Sequence, residues 1–144
     1  MKALFPGSFD PFTIGHADIL RRILPLFDSV VVGIGVNEGK RALATPLERK
    51  KTIEQIFKDE PKVSVETYSD LTADFAQRIG ADYIVRGLRS ARDYDYEREL
   101  AAVNRKLGAP EHLFVMARPE LAAISSSAVR ELIDFGHDVS QFLP

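Results

Sequence analysis

Hydrophobic positions along the chain follow two rhythms. Ser29 to Gly35 (SVVVGIG) is β-branched and almost unbroken, the pattern of a strand buried on both faces. Ala3-Leu4-Phe5, Val63-Ser64-Val65, Tyr83-Ile84-Val85 and Leu113-Phe114-Val115-Met116 are shorter runs of the same kind. Helical spacing fills the gaps between them. His16 to Leu24 places Ile19, Leu20 and Ile23 on one face. Thr45-Pro46-Leu47-Glu48 reads as a capping box with proline at the first helical position, predicting a helix through Phe57. Thr72 to Ile79 ends at Gly80 and Ser126 to Phe135 at Gly136, each glycine a C-terminal cap. Asp93 to Leu107 is the longest segment, with acids in its first turn and Arg105 and Lys106 in its last, matching the helix dipole. Strand and helix alternate five times. The alternation predicts an α/β, Rossmann-like fold: a five-stranded parallel sheet with helices on both faces, in one domain over 1–144.

Composition narrows the chemistry. The chain has 144 residues and no cysteine, which removes disulfides, thiolate metal sites and a cysteine nucleophile. No apolar run approaches the roughly 20 residues of a membrane span. Lys2 is followed by only a few apolar positions before Pro6 and Gly7, so no signal peptide is read and a cytoplasmic protein is expected. A formal net charge of −2 argues against a nucleic-acid-coated surface while leaving room for a local cationic pocket.

In open parallel sheets, ligands bind beyond the carboxyl ends of the strands. The loops after Phe5, Gly35, Thr67, Val85 and Met116 are therefore the candidates. The first, FPGSFDPFTIGH, carries residues that helices and strands reject. Its Gly15-His16 stands at a helix N-terminus, where unpaired N–H groups attract anions. The bland alternative is a turn with a capping histidine. The second loop offers Lys40 to a phosphate in the same crevice. In the third, Ser69 or Asp70 is a candidate cap, and Leu71 and Thr72 could line an apolar channel. The fourth, Arg86-Gly87-Leu88-Arg89, sets two guanidinium forks at a strand end, where phosphate oxygens fit. Glu97 and Asn104 follow on the long helix, and an acid near a helix start needs no function to be favourable. Before the last helix stand Ser125, Ser126 and Ser127, more hydroxyls than a single cap requires.

GSFDPFTIGH resembles the signature of the nucleotidyltransferase superfamily that bears a (T/H)xGH motif, here Thr13-Ile14-Gly15-His16. ISSSAVR resembles that superfamily's second signature, with Ser127 where threonine is usual. Together with VRGLRSARDYDYERELAAVNRKL, these motifs make the whole chain similar to the bacterial phosphopantetheine adenylyltransferases. Two departures stand out. The chain stops at Pro144, where relatives often have another helix. Glu120-Leu121-Ala122-Ala123 also lacks the aromatic residue that often precedes the serines.

The resemblance implies transfer of the adenylyl group of ATP to 4′-phosphopantetheine, giving dephospho-coenzyme A and pyrophosphate. The nucleophile would be the substrate's own phosphate. With a second pKa of about 6 it is largely a dianion at neutral pH, so no general base is needed. By the same resemblance, His16 stabilises the transition state at the α-phosphate, and Ser8 and Phe9 bridge ATP and the attacking phosphate. Lys40 and Arg86 hold that phosphate, and Thr72 with Leu71 meets the pantetheine arm. Gly87, Leu88, Arg89 and Glu97 belong to the ATP site, as do Leu121, Ala122, Ala123 and Ile124. Ser125, Ser126 and Ser127 hold the β- and γ-phosphates, with Arg130 in support. Mg²⁺ is implied on the triphosphate with no protein ligand assigned. A homohexamer inhibited by coenzyme A is implied as well, with no nucleic-acid or membrane partner.

Two alternatives remain. One is another adenylyl- or cytidylyltransferase of the superfamily; the glycerol-phosphate cytidylyltransferases usually show HxGH and an RTxGISTT-like motif, unlike Thr13 and ISSS here. The other is a nucleotide-binding sensor without turnover, against which His16, Lys40 and Arg86 together speak.

Overall fold

The computed structural model describes residues 1–39 and 41–144. Five strands form one parallel sheet: β1 (Lys2–Gly7), β2 (Ser29–Gly35), β3 (Val63–Tyr68), β4 (Tyr83–Leu88) and β5 (Glu111–Met116). Their order is β3-β2-β1-β4-β5. The helices are α1 (Ile14–Ile23), α2 (Pro46–Ile56), α3 (Thr72–Arg78), α4 (Ala91–Lys106) and α5 (Ser126–Asp134). The α/β reading from the sequence matches this architecture. The strands extend a few residues beyond their apolar runs, because edge positions such as Glu66 and Glu111 tolerate polar side chains.

Period two divides the core. Ala3, Phe5, Val30, Val32 and Val85 face one side of the sheet with Ile19, Leu20 and Ile53 of α1 and α2. Leu4, Val31 and Ile84 face the other with Phe75 and Ala76 of α3. Gly33 is the contact point on this second side: a Cβ there would stand 2.8 Å from Leu4 and 2.9 Å from the Phe75 ring.

The caps follow local chemistry. Thr45 and Glu48 form the expected capping box. Gly80 and Gly136 take positive φ of 67° and 78°, as their position after α3 and α5 required. Neither Ser69 nor Asp70 caps α3: its N-cap is Leu71, without a side-chain bond. Asp70 instead accepts from Arg78 at 3.0 Å, one helix length away. Helix α4 departs from an ordinary amphipathic pattern. Its buried residues are Glu97 and Asn104, whereas Tyr96, Leu100 and Val103, with Leu107 at the C-cap, are exposed.

The chain runs outward from β1 through β2 to β3, then returns to β4 beside β1. The strand order therefore reverses between β1 and β4, and the crevice beyond their carboxyl ends is the binding position of such sheets.

Candidate functional site

At that reversal point lies a cleft built from five segments. They are the turn after β1, the start of α1, the end of β4 with the first turns of α4, the segment after β5, and the start of α5. Ser8, Phe9, His16, Arg86, Gly87, Arg89, Glu97, Leu121, Ile124, Ser125, Ser126 and Ser127 all line it. Leu88, Ala122 and Ala123 neighbour the lining without joining it, and Thr72 stands apart, its hydroxyl 2.9 Å from that of Tyr68. Lys40 lies outside the described residues.

The turn after β1 is shaped by Phe9. Its φ is +49°, a left-handed conformation that costs a non-glycine residue about 1–2 kcal/mol. Its ring compensates by packing among Phe5, Phe12 and His16, at centroid distances of 5.4, 5.3 and 5.0 Å. Gly7 is the close-approach position for that ring: a Cβ there would stand 2.9 Å from it.

His16 is the third residue of α1, and it closes a capping box in which histidine replaces the usual glutamate or glutamine. The Thr13 N–H donates to His16 Nδ1 at 3.0 Å. A backbone N–H can only donate, so Nδ1 is the acceptor and the ring proton sits on Nε2. Burial, then the positive charges of Arg89 and Arg86, lower the pKa of His16 from 6.5 to about 4. At neutral pH the cleft therefore holds an uncharged imidazole with one N–H donor. The capping and functional readings of this histidine are compatible: one nitrogen caps while the other is available.

Arg86 is held from two sides. Its Nε and Nη2 donate to the two carboxylate oxygens of buried Glu97, at 2.9 and 2.6 Å, and Nη1 donates to the Pro6 carbonyl. Three of its five N–H donors are used in these bonds, leaving two for a ligand. Arg89 leans on Asp93 at 3.1 Å and is more exposed. Glu97 thus serves as the anchor of Arg86 in this structure.

The three serines divide their work. Ser125 caps α5, its hydroxyl accepting from the Ala128 N–H at 3.1 Å. Ser126 donates to the Pro11 carbonyl at 2.8 Å, tying α5 to the first loop. Ser127 accepts from Arg130 Nη2 at 3.2 Å, and Arg130 Nη1 reaches the Asp10 carbonyl at 2.6 Å. The early N–H groups of α5 and the partly exposed hydroxyls make an anion-attracting rim.

Two contributors were assigned no role from the sequence: Asp10, although it stands within the GSFDPFTIGH signature, and Arg49, which lies outside every motif. Buried Asp10 accepts from the Leu43 and Ala44 N–H groups at 2.7 and 3.0 Å, pinning the segment before α2 to the first loop. Buried Arg49 of α2 donates to the Ser8 carbonyl at 2.6 Å. A signal for Arg49 existed: it precedes Ile53 and Phe57 at spacings of four, so a cation stands on the helix's buried stripe.

Among the described residues no group of three His, Asp or Glu side chains is arranged around a metal. The cleft carboxylates Asp93 and Glu97 are bonded to arginines. These residues do not form a protein cage for Mg²⁺.

Such a cleft, with a neutral histidine, arginine forks and a serine-capped helix at the sheet's reversal point, suits the transfer of a nucleotide between phosphates. The chain matches the cytidylyltransferase-like family model over residues 4–132. Within that class it is 51% identical to the phosphopantetheine adenylyltransferase of Porphyromonas gingivalis strain W83, covering 99% of this chain and 93% of that protein. It is 48% identical to those of Phocaeicola vulgatus and Leuconostoc citreum, again over 99% of this chain and covering 95% and 90% of those proteins. The chain belongs to the phosphopantetheine adenylyltransferase family, and it is a nucleotidyltransferase.

Proposed function

We propose that this chain joins ATP to 4′-phosphopantetheine, a step of coenzyme A synthesis. A phosphate oxygen of the acceptor attacks the α-phosphorus of ATP, the α–β bridging bond breaks, and pyrophosphate leaves with that bond's electrons. The product is dephospho-coenzyme A. The observation that carries the reading is the neutral His16, fixed by Thr13 with Nε2–H as its remaining donor inside an arginine-lined cleft.

In this reading the enzyme works by alignment and charge stabilisation, without a general base. His16 donates to the α-phosphate oxygen where negative charge grows. Ser8 and the Phe9 N–H stand between the two reactants. Arg86 gives its two remaining donors to the acceptor phosphate, with Lys40 as second cation. Gly87, Leu88, Arg89 and Glu97 border ATP. Leu121 to Ile124 border the adenine, and Ser125 to Ser127 with Arg130 take the β- and γ-phosphates. Thr72 belongs to the pantetheine side. Mg²⁺ would bind on the triphosphate and neutralise it; no step above requires a protein ligand for it.

We further propose a homohexamer in the cytoplasm that coenzyme A inhibits by occupying the acceptor site. Exposed Leu100 and Val103 on α4 and Leu107 at its C-cap, with Phe135 77% exposed after α5, support self-association. No helix among the described residues is long and apolar enough to cross a membrane. Light scattering tests assembly: a mass several times 16.1 kDa is expected, and a monomer contradicts it. Turnover is tested by pyrophosphate release from ATP with phosphopantetheine.

A further inference from the structure

Arg49 is a buried cation, 7% exposed, and among the described residues no ion pair engages it. Among the described residues its buried Nε has no hydrogen-bond partner, and its one side-chain bond runs from Nη1 to the Ser8 carbonyl at 2.6 Å. Buried charges are ordinarily paired, because leaving water is costly. Among the described residues a compensating charge is therefore missing.

The Ser8 carbonyl belongs to the peptide group that joins Ser8 to Phe9. The only cis bond among the described residues is Asp10–Pro11, so the Ser8–Phe9 peptide is trans. In a planar trans peptide the C=O and the N–H point in opposite directions. With the carbonyl drawn toward Arg49 in the protein, the Phe9 N–H is turned to the other side, where Ser8 and Phe9 line the cleft. Among the described residues that N–H donates to no protein acceptor. The left-handed φ of Phe9 is a strained conformation that needs such an anchor to persist.

We infer that Arg49 is a positioning residue: it holds the Ser8–Phe9 peptide with its N–H toward the phosphates and supplies, through that peptide, the positive charge that a bound polyanion balances. A cation on the carbonyl also polarises the peptide, so its N–H donates more strongly. The bound phosphates are the missing counter-charge of Arg49, one peptide group away. Catalysis follows because the donor is preset where charge develops, with no reorganisation at the moment of reaction. This assignment rests on the adenylyl-transfer reading for its catalytic part only. The binding part needs nothing but a polyanion in the cleft.

The test uses the full chain as wild type, Arg49→Lys and Arg49→Met. Melting temperature is read with and without inorganic tripolyphosphate, and kcat by pyrophosphate release. Arg49→Met removes a buried unpaired charge, so its ligand-free melting temperature is expected within about 3 °C of wild type. Its tripolyphosphate shift is expected to fall to less than half, and its kcat by about 10- to 100-fold. Arg49→Lys keeps the charge and is expected to recover part of both. An Arg49→Met protein with wild-type shift and rate overturns the inference. So does a rate loss that tracks a loss of melting temperature and is not relieved by lysine, since that marks a merely structural role. Should Arg49→Met not fold, Arg49→Gln is read instead: it keeps a donor for the carbonyl without the charge. A lost tripolyphosphate shift then supports the inference and a full one overturns it. If the wild type releases no pyrophosphate, the adenylyl-transfer reading fails while the tripolyphosphate shift still decides on Arg49. A wild type with no shift overturns the inference itself.

Discussion

His16 does two things through two nitrogens, and substitution can separate them. Alanine removes both. Losing the bond from the Thr13 N–H removes half of a capping box, at a cost of about 1 kcal/mol. Losing the edge-on contact with Phe9 at 5.0 Å adds about another 0.5–1.5 kcal/mol. For a chain of 144 residues, that sum lowers the melting temperature by roughly 3–10 °C. Losing the Nε2–H donor removes an interaction that strengthens only as charge builds at the α-phosphate, worth about 10²–10³ in kcat. Because that donor acts mainly in the transition state, ATP binding is expected to change little. Glutamine at position 16 keeps an acceptor at the capping position that glutamine normally fills. His16→Gln is therefore expected to recover the capping part of the loss, melting above His16→Ala, and still be slow. The assays are thermal denaturation, calorimetric ATP binding and steady-state pyrophosphate release on all three proteins. A His16→Ala enzyme with near-normal kcat refutes the reasoning. So does a His16→Gln enzyme whose full rate returns with its melting temperature, because the ring would then act through the helix cap alone.

Stability should carry the signature of His16 as acid is added. Its pKa is about 4 folded against 6.5 unfolded, so the unfolded chain takes the proton first as pH falls. The contribution is intact above pH 6.5 and is lost on going down to 4, by about 3 kcal/mol in all. Urea unfolding should show wild type losing about 3 kcal/mol of stability relative to His16→Gln as pH falls through this window, and a difference between the two that stays constant with pH contradicts the shift. Lys40→Ala is expected to raise KM for phosphopantetheine more than for ATP, and the reverse order in steady-state kinetics removes it from the acceptor site. Gly33→Ala would push a methyl against Leu4 and Phe75 at under 3 Å, an overpacking cost of about 1–3 kcal/mol that urea titration should show as a lower midpoint at unchanged slope.

How much of this was legible in the sequence depends on the range of the interactions involved. Ser29 to Gly35 was readable as a strand because its burial on both faces leaves an unbroken apolar run. Thr45 and Glu48 were readable because a capping box spans only four residues. Asp70 was misjudged as a possible cap for the opposite reason: its partner Arg78 lies a full helix away. The cleft's position could be inferred from the order of the elements. The bonds inside it could not, since Glu97 meets Arg86 across eleven residues and Arg130 meets Asp10 across 120. Arg49 was passed over within the charged stretch ERKK, although its spacing to Ile53 and Phe57 places it on the buried stripe. Helix α4 was readable as a helix from its end charges, but its polar inner face and apolar outer face run against the usual pattern.

The central claim is adenylyl transfer to phosphopantetheine, and its most direct test is pyrophosphate release across paired nucleotides and acceptors. Triphosphate contacts are common to all nucleotides, so discrimination must come from the base pocket bordered by Leu121 and Ile124. With ATP and 4′-phosphopantetheine the account predicts pyrophosphate and dephospho-coenzyme A in equal amounts, and a kcat/KM well above that with CTP. Comparable kcat/KM for CTP, or turnover only with glycerol phosphate or nicotinamide mononucleotide as acceptor, would contradict it.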